Sequence, residues 1–299
     1  MPDESLAPSP RRPWSRSLAY GALACVAYLI AARLSLRLAV FDGNITPLWP
    51  PAAVALCALW FGGRPLWPAV VLGAALSTYL SGTPPLIAAL VGGSNGLAAV
   101  VQVTLLRRAR FSEALSRLGD VLALVAFGAL VPAVLSALQG VLLLTLGGVL
   151  ARAQAPLALT TWALGDAVGV LIFAPPLLTL VAQRATLRPL PVLGGLGLCL
   201  GAALCTWVVL LVNLPITWSL LALSVCAGLW LGPLGGAAVS CAIATVATLM
   251  TAHGYGPYSH IAEDILHSRL FFLEGFLATT MITTLLLGAA VAEARAAAF

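Results

Sequence analysis

Lysine does not occur in this chain, and charged residues of every kind make up only 8% of its 299 residues. An ordinary soluble domain carries about 25% charged and about 45–50% apolar residues; here the apolar share is 61%. No single core of this size hides that much apolar surface, so a soluble globule is excluded and a bilayer protein remains. The basic residues are all arginine and stand in short clusters between apolar runs, which is not the continuous basic patch that nucleic-acid binding requires. Only three histidines occur, and no HExxH pair, phosphate loop, nucleophile–base arrangement or paired-carboxylate spacing argues for an enzyme. The six cysteines fall inside apolar runs without paired spacing or histidine neighbours; they read as packing residues, not as disulfides or metal ligands. No small-residue cleavage site follows the first apolar run, which is therefore expected to stay as a helix.

What the chain does contain is a succession of apolar runs bounded by Gly, Pro and Arg. They predict ten helical segments, at roughly 17–40, 48–62, 65–81, 84–107, 118–147, 156–182, 190–212, 215–231, 233–252 and 264–294. The second and third are near the lower limit for a full crossing. They either span or form a re-entrant pair, so the expected fold is an all-α polytopic membrane bundle of eight to ten transmembrane helices. Residues 1–16, rich in proline and arginine, read as a disordered cytoplasmic leader, 17–295 as one integral membrane domain and 296–299 as a cytoplasmic tail.

With the N-terminus in the cytoplasm, Arg11, Arg12, Arg16, Arg64, Arg107, Arg108, Arg110, Arg117, Arg184, Arg188 and Arg295 fall on the cytoplasmic side. Arg152 and Arg269 fall opposite. This is the asymmetry of the positive-inside rule, and it predicts both termini inside an inner (plasma) membrane whether or not the short pair spans. Two further similarities suggest a parallel internal repeat. Asn44-Ile-Thr-Pro-Leu-Trp49 is echoed by Asn213-Leu-Pro-Ile-Thr-Trp218, and Leu59-Trp60-Phe61-Gly62 by Leu229-Trp230-Leu231-Gly232, at offsets of 169 and 170 residues. Coincidence among Trp, Leu and Gly in apolar sequence is the other reading.

Asp166 stands in the middle of an apolar segment, where a charge costs about 3 kcal/mol on insertion scales unless it meets a partner or a wet cavity. At ~1.5 Å of rise per residue, Asn95, Asp166 and Glu274 all lie roughly 15 Å from the outer ends of their helices, which predicts a shared cavity open to the outer face. Arg33 is the expected counter-charge. Trp162, Gly169 and Phe173 share the face of Asp166, and an aromatic-walled niche with one acid suits a small polar or cationic ligand. Each residue also has a plainer role. Asp166 and Glu274 can be satisfied structural carboxylates, Asn95 and Gln102 interhelical glue, and Arg33 with Arg37 can snorkel to headgroups. Gly165 with Gly169, Gly92 with Gly96, Gly197 with Gly201 and Gly232 with Gly236 read as ordinary close-packing pairs. His253, His260 and His267 lie with Glu263 and Asp264 in one outer loop, but their spacing across Gly-Pro turns does not make a metal site. No cofactor is predicted.

The motifs Trp49-Pro50-Pro51-Ala52, Gly62-Gly-Arg-Pro-Leu-Trp67-Pro68, Ser94-Asn95 with Leu105-Leu-Arg-Arg108, Trp162 through Gly165-Asp166-Ala-Val-Gly169 to Pro175, and Gly254-Tyr-Gly256-Pro257-Tyr258 come in an order that resembles the bacterial membrane-associated sensor domain of the first type. The resemblance runs from about residue 18 to 295. It implies an inner-membrane sensory module of the kind that precedes histidine kinase or diguanylate cyclase outputs in two-component and cyclic di-GMP signalling, with no defined ligand. No kinase, cyclase or PAS-like sequence follows Arg295, so the expected output is a separate cytoplasmic or membrane partner. A secondary transporter and a ligand-free membrane scaffold are the alternatives.

Overall fold

The computed structural model describes residues 14–38, 46, 48–185, 189–214, 216–260 and 266–298. Among these residues every regular element is helical. The helices are α1 (Trp14–Ser35), α2 (Pro51–Gly62), α3 (Trp67–Tyr79), α4 (Pro85–Arg108), α5 (Leu118–Ala123), α6 (Val131–Leu146), α7 (Ala155–Gln183), α8 (Pro189–Leu211), α9 (Ser219–Ala252) and α10 (Leu266–Ala297). A π-helical stretch, Leu124–Leu130, joins α5 to α6 without a break. Large apolar side chains such as Leu18, Leu146, Leu200 and Trp230 stand exposed on the outside, which is stable only when the surrounding solvent is itself apolar.

By length and composition, seven helices among the described residues can cross a membrane, fewer than the eight to ten expected. Two causes account for the difference. Helices α2 and α3, of 12 and 13 residues, reach about 18–20 Å at 1.5 Å per residue, short of the ~30 Å apolar slab. Helix α9 enters the count once, yet Gly232 within it has φ +73° and ψ −170°. A Cβ on Gly236 would lie 2.7 Å from the Gly228 Cα, although eight residues of straight helix span ~12 Å. The chain therefore folds back at Gly232-Pro233, where the sequence places the boundary between two segments.

That turn has a counterpart. Gly63, between α2 and α3, has φ +98° and ψ 157°, the same region as Gly232, which favours glycine. Around the first turn, α1 and α4 each pack on both α2 and α3. Around the second, residues of α8 (Ala202) share a cluster with both arms of α9 (Leu220, Ala227; Val239, Ile243), and Thr284 of α10 touches Gly228 and Gly236 on the two arms. The Leu59–Gly62 and Leu229–Gly232 motifs thus each lie at a glycine turn flanked by two packed helices, although the turn glycine is Gly63, one residue past the first motif, and Gly232, the last residue of the second.

One end of the bundle collects the arginines. Arg107 stacks over Trp60, 5.9 Å from its ring centroid, and Trp60 meets Phe111 edge-on. Arg117 pairs with Asp120 at 2.8 Å. The Leu118 amide donates to Glu293 Oε1, and Arg295 reaches the Leu229 carbonyl. The end of α4, the start of α5, the end of α10 and the Gly232 turn therefore share a face, called here the arginine face.

Candidate functional site

Helix α2 begins in the interior of the bundle. The Trp49 amide donates to the carbonyl of Gly165 at 3.0 Å, ten residues into α7, or about 15 Å from its end. Gly169, one turn on, has no side chain because the Trp49 carbonyl occupies the place of its Cβ. Gly169 is thus a packing glycine, but what it packs is the irregular backbone ahead of α2 rather than another helix. Pro50 and Pro51 then start α2 without needing amide partners of their own. Gly92 and Gly96 admit α3 against α4 in the same way, whereas a Cβ on Gly197 or Gly201 would meet nothing.

This junction sets Trp49 beside Asp166. Asp166 is 4% exposed, and its Oδ1 has no hydrogen-bond partner. Trp49 Nε1 and Ser136 Oγ are also buried and lack a well-formed hydrogen bond, although Ser136 and Trp162 lie near enough to interact with the Asp166 carboxyl, and Trp49 with the Tyr28 hydroxyl. Tyr28 of α1 lies edge-on to Trp49, with ring centroids 6.4 Å apart, and its hydroxyl donates to Asn95 Oδ1 at 3.2 Å. Asn95 Nδ2 in turn donates to the Val91 carbonyl. The Trp162 ring fills the slot left by the missing side chain of Gly140 on α6.

Two small cavities meet at these residues. The first is lined by Tyr28, Thr46, Trp49, Ser77, Asn95, Trp162 and Asp166. The second is lined by Tyr28, Asn95, Gln102, Pro132, Ser136 and Asp166. Each has about 20 Å³ of room for water-sized molecules, against the ~10–15 Å³ that one water needs. At the floor of the second, Pro132 has no N–H to give the Gly128 carbonyl four residues back. Gln102 Nε2 donates to that carbonyl instead, so Gln102 serves the π-helical stretch as glue.

Of the residues expected to share a cavity, Asn95, Asp166 and Trp162 do. Glu274 does not line either cavity. It is 5% exposed with an unpartnered Oε1, between Leu273 and Leu277, which belong to an apolar cluster with Val168 and Ile172. Equal depth along separate helices did not bring it to the same side of α7. Arg33 is not the counter-charge of Asp166. It lies exposed at the end of α1, in an open cleft with Leu36, Arg37, Leu80 and Ser81, because its position on the α1 surface points away from the interior that Tyr28 faces. Tyr28, Ser136 and the indole of Trp49 were missed as polar groups of the site. Ser136, following Pro132 in an apolar run, was the one legible signal.

The remaining motif residues line neither cavity. Trp67 and Pro68 open α3, and Pro175 lies buried inside α7. Gly256 (φ +83°) closes on Leu210 just before the short turn Pro257–His260. Glu263 and Asp264 lie outside the described residues, as do residues 1–13 of the leader and Asn44 of the repeat, whereas the leader's last three residues, 14–16, already belong to α1.

The MASE1 family matches residues 20–295, nearly the whole chain. Neither a curated protein nor a solved structure matches it.

Proposed function

The chain belongs to the MASE1 family of membrane-associated sensor domains, and from that premise we propose that a small polar ligand binds beside Asp166 and alters the packing of the helices around it. The observation that carries this reading is the convergence of buried polar groups from three elements, Trp49 Nε1, Ser136 Oγ and Asp166 Oδ1, none of them in a well-formed hydrogen bond, on adjoining cavities. Buried polar groups are almost always paired, and a membrane interior offers no bulk water to pair them. The site asks for a species that donates to a carboxylate and accepts from an indole N–H.

The cavities admit only water-sized molecules, so any larger ligand must spread α1, α4, α6 and α7. A ligand shifts an equilibrium only through different affinities for its two states, and the closed cavity supplies that difference. From its floor, the π-helical stretch and α5 lead to the Leu118–Glu293 contact on the arginine face. In this reading that face is cytoplasmic, as the positive-inside rule favours. A histidine kinase or diguanylate cyclase output would read the state there.

A second reading, transport, is favoured by the paired glycine turns and by a helix that starts inside the bundle, both features of carrier folds. The deciding test is thermal unfolding of purified protein against a panel of metabolites and ions, with wild type and Asp166→Asn side by side. A ligand at a hundred times its dissociation constant adds about 2.7 kcal/mol. Stabilisation of wild type alone supports the site, and flux of that compound into proteoliposomes would then favour transport over sensing. Stabilisation of both proteins alike moves the ligand away from Asp166; none of either leaves a scaffold.

A further inference from the structure

Arg33 and Arg37, displaced from the interior, have a setting of their own. They are four residues apart where α1 runs into the short turn Leu36–Leu38, and so share a face. Both line one open cleft of about 350 Å³, with Leu36 from the same strand of chain and Leu80 and Ser81 from the end of α3. This is the end of the bundle opposite the arginine face, where positive charge is least expected.

Among the described residues neither guanidinium has an ion pair or hydrogen bond, and no acidic residue lines the cleft. Ser81 Oγ already donates to the Ser77 carbonyl, so the free donors of the cleft are those of the two arginines, five N–H groups each. The helix C-terminus favours a positive charge there but uses none of those donors. Two like charges at this spacing repel one another, and a shared anion reverses the sign of that interaction. The volume falls within the range of small-molecule sites, about 300–1,000 Å³, and guanidinium forks match oxyanions bidentately.

We propose that Arg33 and Arg37 form an oxyanion-binding site at the mouth of the bundle, for a phosphate or carboxylate group that is either free or carried by a lipid headgroup. Leu36 and Ser81 also border the first cavity beside Asp166, so the anion would sit on the way in. The site does not depend on ligand binding at Asp166.

The test uses the full chain in phosphatidylcholine nanodiscs, with inorganic phosphate added against chloride at equal ionic strength, and separately with phosphatidylglycerol in the disc. Phosphate at a hundred times its dissociation constant is expected to raise the unfolding midpoint by roughly 5 °C in wild type and in Asp166→Asn. The shift should shrink in R33K/R37K and vanish in R33Q/R37Q. A shift with phosphatidylglycerol alone, lost in the same double variant, identifies the headgroup as the source. In wild type, where no variant need fold, either anion should slow phenylglyoxal modification of Arg33 and Arg37 read by mass spectrometry. An equal shift in R33Q/R37Q, no shift in either arm, or unprotected arginines overturns the proposal.

Discussion

Asp166 and Glu274 are equally buried, yet they sit in different company. Asp166 faces cavities shared with Tyr28, Asn95 and Ser136, whereas Glu274 stands among leucines. Their conservative amides should therefore part ways. Asp166→Asn is expected to abolish stabilisation by a bound ligand without lowering the unfolding midpoint of the free protein, since it replaces a buried carboxyl whose Oδ1 makes no well-formed hydrogen bond. Glu274→Gln should leave the ligand response intact; loss of that response, read by the same thermal assay, would join Glu274 to the site. Gly169 gives a steric prediction. A methyl group there meets the Trp49 carbonyl, so Gly169→Ala should destabilise by about 1–3 kcal/mol, and the emission of Trp49 should change with it. At this scale the sequence made Asp166 legible because a lone carboxylate in an apolar run is conspicuous. The indole of Trp49 was not, because only the backbone bond to Gly165 brings it there.

Among the elements, the passage from α5 to α6 is the most informative. Hydropathy marks one run over residues 118–147, and one continuous helical run is found. The π-helical stretch inside it is invisible to hydropathy, since it changes which carbonyl meets which amide and not which residue is apolar. Its signature is Pro132, four residues beyond Gly128. Gln102→Leu removes the only side chain that serves the Gly128 carbonyl among the described residues, at an expected cost of about 1–3 kcal/mol. Pro132→Ala returns an amide to the same carbonyl. The double variant should lose less than the two single variants together, with a coupling of about 0.5–3 kcal/mol from chemical denaturation; strict additivity would mean that the two residues do not share that carbonyl. Arg33 marks the limit of depth as a predictor. Rise per residue locates a side chain along its helix but not around it, and its azimuth decided the outcome.

The whole molecule has two ends that differ in charge. Cysteines placed at Ala151 and at Ala109, both exposed and at opposite ends, test the orientation inferred from the arginines. On a background lacking the native cysteines, an impermeant maleimide should label Ala151→Cys in intact cells and Ala109→Cys only after permeabilisation. The reverse pattern would invert the topology. The apolar composition made the bundle legible, and the repeated Leu-Trp-x-Gly motif marked the neighbourhood of the turns at Gly63 and Gly232, one residue out of register with each other. How many segments cross was less legible, because a twelve-residue helix is equally apolar whether it spans or starts halfway.

That half-length start of α2 bears on how the protein is made. A segment of twelve residues followed by a tight glycine turn is too brief to be held in lipid by itself as it leaves the ribosome. Its proline-led beginning is secured by the Gly165 carbonyl and the bare surface of Gly169, more than a hundred residues later in synthesis. Until α7 emerges, α2 and α3 are held chiefly by α1, α4 and the Phe111 segment that follows α4. Biogenesis must therefore keep the first third of the chain provisional, and a nascent chain stalled before residue 165 should leave Trp49 accessible to reagents that the finished protein excludes.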